Sequence, residues 1–177
     1  MQLRLPLSAY NRYTEPMSVA KVRHYLEQFD AGEHILEFMT SSETVELAAL
    51  AVGCEPARIA KTLSFLLNDK PLLIVVAGDA RIDNQKFKAQ FSQKASMIPA
   101  DEVERLVGFA PGGVCPFGVN EDVRVYLDRS LLRFASVYPA CGSGNSAIEL
   151  TPDELEQFSR PLGWIDVCRG WRDEPAG

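Results

Sequence analysis

Pro71-Leu-Leu-Ile-Val-Val-Ala77 carries no charged or hydrogen-bonding side chain, and turn-forming residues bracket it as Asn68-Asp-Lys70 and Gly78-Asp79. An apolar run of this length between turn signals reads as a strand covered on both faces, which places it at the centre of a sheet. Thr62–Leu67, on the far side of the Asn68-Asp-Lys70 turn, reads as a second strand.

Working outward, short helices and strands alternate without a fixed order. Upstream, Val19, Val22, Leu26 and Phe29 recur at three- and four-residue spacing and predict a helix from Pro16, stopped by Asp30-Ala-Gly-Glu33. His34–Met39 reads as a strand. Ser41 or Ser42 then caps a helix running to Val52, with Glu43 in its first turn, Val45, Leu47, Ala48 and Ala51 on its core face and Gly53 ending it. Glu55-Pro56 opens a helical turn that delivers Lys61. Downstream, 84–91, 101–107, 129–134 and a segment opened by Thr151-Pro-Asp-Glu154 read as helices; 95–98, 123–127, 135–138 and 147–150 read as strands. Trp164 and Trp171 in the tail cover an edge of the core. The pattern predicts one α/β or α+β domain over residues 16–177, preceded by an N-terminal arm at 1–15.

The 177 residues suffice for one domain with a real core, and 46% hydrophobic with 24% charged residues is ordinary for a soluble globular chain. No apolar run approaches the roughly 20 residues of a membrane helix, and the start shows no export signal. Cys54, Cys115, Cys141 and Cys168 are scattered, with no CxxC or CxxH pair, so neither a metal nor another cofactor is expected and a cytoplasmic location with reduced thiols is the simplest reading. A net charge of −6 argues against tight, autonomous nucleic-acid binding while leaving room for a local basic patch.

Gly108-Phe-Ala-Pro-Gly-Gly-Val-Cys-Pro-Phe-Gly-Val119 holds four glycines and two prolines in twelve residues. Gly112 and Gly113 let the backbone reach unusual dihedrals and let a ligand approach closely, and Pro111 and Pro116 stiffen the flanks. Bare amides in a rigid loop suit a carbonyl or an oxyanion; a well-packed structural turn is the equal alternative.

This loop completes an ordered set of blocks. The others are Ser42–Leu63, Val76–Asp83, Val125–Leu131 and Cys141–Leu155. Together the blocks resemble the YbaK/ProX family, free-standing relatives of the editing domain of prolyl-tRNA synthetase, over roughly Ser42 to Phe158. The resemblance implies a compact α/β domain around a mixed central sheet flanked by short helices. It implies hydrolysis of mischarged aminoacyl-tRNA, with the 3′ acceptor end as substrate and an aminoacyl-tRNA synthetase as a conceivable partner. Lys61 matches the family lysine that holds the terminal adenosine or its phosphate and orients the ester. The resemblance further implies that no covalent nucleophile is used: water, or a group on the substrate itself, attacks the ester while the protein supplies position and backbone hydrogen bonds. Lys61 and Gly112 are on this ground the candidate catalytic residues, with Thr62, Gly113, Pro116, Phe117, Gly118, Gly142, Ser143 and Gly144 as candidate substrate-binding residues.

Two departures leave the amino acid open. Members that clear cysteine usually carry an aspartate where this chain reads Asn145-Ser-Ala-Ile, and members that clear alanine tend to carry a histidine near the Gly142-Ser-Gly144 turn, where there is none. The bland alternatives also stand: a snorkelling surface lysine for Lys61 and a plain hairpin turn for Gly142–Gly144. Cys115, flanked by Val114 and Pro116 with no adjacent base, reads as a packing residue rather than a thiol nucleophile. Asp79, Asp83 and Asp128 read as turn and cap residues. A binding module without turnover is the rival to the deacylase, and a thiol hydrolase through Cys115 the weaker third.

Overall fold

Residues 16–40 and 44–173 are described by a computed structural model. The proposed N-terminal arm at 1–15 and the positions Ser41, Ser42 and Glu43 lie outside the described residues.

The apolar run forms β3 (Lys70–Ala77), buried without alternation from Pro71 to Ala77. It is the middle strand of a five-stranded sheet. Its antiparallel neighbour β2 (Ile59–Leu67) pairs with it from Ala60↔Ala77 to Leu67↔Lys70. Asn68 and Asp69, both at positive φ (52° and 61°), make the tight two-residue connection, a conformation asparagine and aspartate tolerate. On the other side β5 (Arg124–Asp128) pairs parallel with β3, and β8 (Trp164–Ile165) parallel with β5. β6 (Tyr138–Pro139) pairs parallel with the start of β2, giving the order β6-β2-β3-β5-β8. Two small antiparallel ribbons complete the strands: β1 (Leu36–Glu37) with β7 (Ser146–Ala147), and β4 (Arg81–Ile82) with β9 (Cys168–Arg169). The sheet is mixed, as expected.

Five α-helices surround it among the described residues. α1 (Met17–Glu27) buries Val19, Val22 and Leu26, the predicted stripe, and Phe29 beyond its end stacks on Phe158 at 4.6 Å. α2 (Val45–Val52) begins two residues later than the serines suggested. Thr44 is its cap, accepting from the Leu47 amide at 3.1 Å, and Gly53 closes it in the left-handed region (φ 76°). Ala49, Ala51 and Val52 are its buried residues, whereas Leu47, expected on the core face, is 45% exposed because the helix packs on Ile59, Tyr138 and Ala147 through Ala49 and Val52, with Val45 and Ala48 beside them. α3 (Asn84–Phe91) is capped by Asp83 and sets Phe87 against Phe65 at 5.2 Å. α4 (Ala100–Val107) ends at Gly108, and α5 (Pro152–Ser159) opens on a capping box between Thr151 and Glu154.

Several strands are shorter than their apolar patterns. The 34–39 strand shrinks to β1, and 95–98 to a single bridge between Met97 and Phe65. The 147–150 strand splits into β7 and a bridge between Leu150 and Val137. Trp164 and Trp171 pack partly buried against the core.

Candidate active site

β2 begins at Ile59, so Lys61 lies inside the strand, the preceding 3-10 turn being Pro56–Arg58. The outer edge of β2 is closed at both ends and open in the middle. β6 covers Ile59 and Ala60. At the other end the Leu66 amide donates to Ser96 O (2.8 Å) and the Ile98 amide to Ser64 O (3.1 Å). Lys61, Thr62 and Leu63 lie in the gap, where no strand pairs with that edge among the described residues. Since Ser64 and Leu66 direct their backbone groups outward, alternation directs those of Thr62 outward as well. A strand edge held open inside a fold is a row of unspent donors and acceptors.

A cleft of about 390 Å³ lies over this gap. Its walls are apolar: Val45 and Ala48 from α2, Ile98, Ala100 and Val103 around the start of α4, Val114 from the glycine loop, and Ala140 and Ala147 from the β6–β7 region. Lys61, Thr62 and Gly112 all line it. Consecutive strand residues face opposite ways, so Lys61 and Thr62 approach the cleft from the two sides of the sheet edge. Lys61 is half-buried, its Nζ 3.5 Å from Gly78 O. Burial lowers its pKa below the ordinary lysine value, and the Arg81 guanidinium pushes the same way. Thr62 Oγ1 is buried and makes no hydrogen bond within the protein, an unsatisfied hydroxyl at the cleft.

The glycine loop divides into parts with different duties. Gly112, exposed at the cleft, has φ 89°. Gly113 is buried, and its amide donates to Ala110 O at 3.0 Å, so that amide is not a free donor to the cleft. Pro116 and Phe117 are buried, Phe117 beside Tyr25 at 6.5 Å between ring centres, and Gly118 packs on Tyr25. Gly142 is buried, with φ 94°. Ser143 Oγ donates to Asn145 Oδ1 (2.9 Å) and lies 2.9 Å from Ser146 Oγ, while Asn145 Nδ2 donates to Phe38 O (2.9 Å). An aspartate in place of Asn145 would turn a carboxylate toward that carbonyl, so the departure noted in the sequence has a local use. Gly113, Pro116, Phe117, Gly118, Gly142, Ser143 and Gly144 thus stand outside the cleft lining, while Lys61, Thr62 and Gly112 come together on it.

Cys115 is fully buried, its thiol pushed up to about 12 by desolvation, and it donates weakly to Phe117 O. This disfavours the thiolate a nucleophile needs. Asp79 pairs with Arg133, Asp83 caps α3, and buried Asp128 accepts from the Ser130 and Val167 amides at 2.9 Å each. Among the described residues no cluster of three or more histidine, cysteine or acidic side chains could hold a metal, and no helix is long and apolar enough to cross a membrane.

Sequence reading missed the apolar walls and the open edge. The walls come from four separate elements, and the signal for them lay inside the quoted blocks at Val45, Ala48 and Ala147; the edge gap depends on where β6 and Ser96–Ile98 stop, which no local pattern encodes.

Residues 40–158 match the model of the aminoacyl-tRNA editing domain. Among curated proteins, the chain is 53% identical over 156 residues to the uncharacterized protein YwhH of Bacillus subtilis, covering 88% of this chain and 99% of that one. It is 28% identical to EbsC of Enterococcus faecalis, a proposed Cys-tRNA(Pro)/Cys-tRNA(Cys) deacylase, over 73% of this chain and 82% of that one. It also matches a proline–tRNA ligase of Bacillus cytotoxicus at 25% identity, covering 88% of this chain but 28% of the ligase. Among solved structures, a proposed trans-editing enzyme for prolyl-tRNA synthetase superimposes with a TM-score of 0.79 at 31% identity, over 89% of this chain and all of that one.

Proposed function

The chain belongs to the aminoacyl-tRNA editing domain family, and with it to the aminoacyl-tRNA deacylases; on that premise we propose that it works in trans, in the cytoplasm, on mischarged tRNA whose 3′ acceptor end enters the cleft over β2. The observation that carries the proposal is the joint placement of Lys61, the open edge at Thr62 and Gly112 on one apolar cleft.

In this reading Lys61 supplies a fixed positive charge to the terminal adenosine or its phosphate and orients the ester. The aminoacyl side chain lies against the apolar walls. The backbone at Gly112 approaches the scissile carbonyl and favours the charge that develops on its oxygen. Water, or a group of the substrate itself, attacks. Gly113, Pro116, Phe117 and Gly118, with the Gly142–Gly144 turn, hold that backbone in place. With a net charge of −6, the protein alone binds tRNA weakly, and a synthetase partner would strengthen capture.

Deacylation of a panel of mischarged tRNAs by purified protein tests this. Faster release than the spontaneous rate for at least one amino acid is expected. Binding of the acceptor end without turnover on any member of the panel would replace the trans-editing enzyme by a binding module.

A further inference from the structure

Arg81 of β4 and Arg169 of β9 are direct register partners. Residues directly opposite in an antiparallel ladder share a face, and their neighbours take the other. Here Cys168 is fully buried and Ile82 packs partly buried on the core, so Arg81 and Arg169 both turn to solvent, and both are exposed. Like charges placed directly opposite one another repel. Three cations beside this ribbon are matched: Arg133 pairs with Asp79, and Lys86 and Arg172 with Asp166. Neither Arg81 nor Arg169 has an ion-pair partner among the described residues.

The pair also sits beside the cleft. Lys61 Nζ rests on Gly78 O, three residues before Arg81, and Arg81 is near enough to Lys61 to act on its charge. Gly170, next to Arg169, approaches the Asp79 carbonyl of the same turn. A cation in the cleft therefore continues into two unmatched cations on the adjacent ribbon, in a protein of net charge −6.

We infer that Arg81 and Arg169 form a phosphodiester site, taking a backbone phosphate of the RNA strand whose 3′ end occupies the cleft. The inference rests on the deacylase reading for the placement of that end. Two guanidinium forks converging on one anion relieve their mutual repulsion and give bidentate contacts a lysine pair would not.

The test is equilibrium binding of a single-stranded RNA ending in CCA, followed by fluorescence anisotropy across a salt series, for the wild type, Arg81→Gln, Arg169→Gln and Arg169→Lys. Each glutamine variant is expected to weaken binding about five- to tenfold. Each should also reduce the slope of log K against log salt, the two losses together amounting to about 0.7, the value of one single-strand phosphate contact. Arg169→Lys should retain the slope and lose part of the affinity. Unchanged affinity and slope in both glutamine variants would overturn the site. Hydrolysis of an aminoacyl-adenosine ester, which lacks that phosphate, is measured alongside. If the wild type binds RNA through the two arginines yet accelerates hydrolysis of no ester, the deacylase reading fails and the phosphate site stands.

Discussion

Gly113 and Gly142 are pressed together: a Cβ built on Gly113 would stand 2.7 Å from the carbonyl carbon of Gly142, and closer still to its oxygen. Gly142 in turn backs onto α1, where a Cβ of its own would meet Ser18 O at 2.6 Å. The two glycine-rich segments are thus one packed unit, with backbone against backbone where side chains would not fit.

Gly113→Ala should therefore act on the fold. The contact is with main chain, which cannot rotate away, so overpacking of about 1–3 kcal/mol is expected. Thermal denaturation should show a lowered midpoint, while the molecules still folded at assay temperature turn over at a rate close to wild type. An unchanged midpoint would mean the two segments separate easily in solution.

Lys61 should show the opposite profile. Burial lowers its pKa below 10.5, so folding favours the neutral amine. The charged form at neutral pH therefore detracts from stability, and that loss is recovered as pH rises from the lowered pKa toward the ordinary 10.5. Lys61→Met keeps the apolar stem and removes the charge. Its midpoint at neutral pH should equal or exceed that of wild type, while turnover is lost. For wild type, the enzymatic rate corrected for spontaneous ester hydrolysis should decline through the same alkaline window. Wild-type turnover in Lys61→Met would remove Lys61 from the reaction.

Thr62 carries an unsatisfied buried hydroxyl at the cleft. Thr62→Val preserves shape and β-branching, so relieving the orphan should raise stability by about 1 kcal/mol. If the hydroxyl contacts the substrate, KM should rise in the same variant. A drop in stability would instead show that ordered water satisfies the hydroxyl.

The sheet's centre was readable because Pro71–Ala77 is buried on both faces and needs no alternation to announce itself. α1 and α5 were readable for equally local reasons, a three-and-four stripe in one and a proline at the first helical position in the other. The short strands were misjudged where pairing, not composition, sets length: β1 stops after two residues because β7 offers only Ser146 and Ala147. In the site, the match to the family lysine is what singled out Lys61, which the sequence placed just before the strand and the structure places inside it. Nothing local distinguished Gly112 from Gly113, since one lies on the cleft and the other against Gly142 only once distant segments meet.

That distinction makes Gly112 the sharpest test. It is exposed at the cleft and held at φ 89°, a region L side chains rarely adopt. Gly112→Ala and Gly112→Val should each strain the backbone by about 1 kcal/mol or more. On the proposed reading a side chain there would also stand between the loop and the scissile carbonyl, and losing one preorganised donor lowers the rate roughly 100-fold or more. Turnover should consequently fall much further than the thermal midpoint, with Val worse than Ala. Gly113→Ala, one residue along, should invert the order, losing midpoint and keeping turnover per folded molecule. Measuring both quantities on the same preparations separates a cleft wall from its support. Full turnover per folded molecule in Gly112→Val would reduce the whole loop to scaffolding and shift the backbone contact with the ester to the open edge at Thr62.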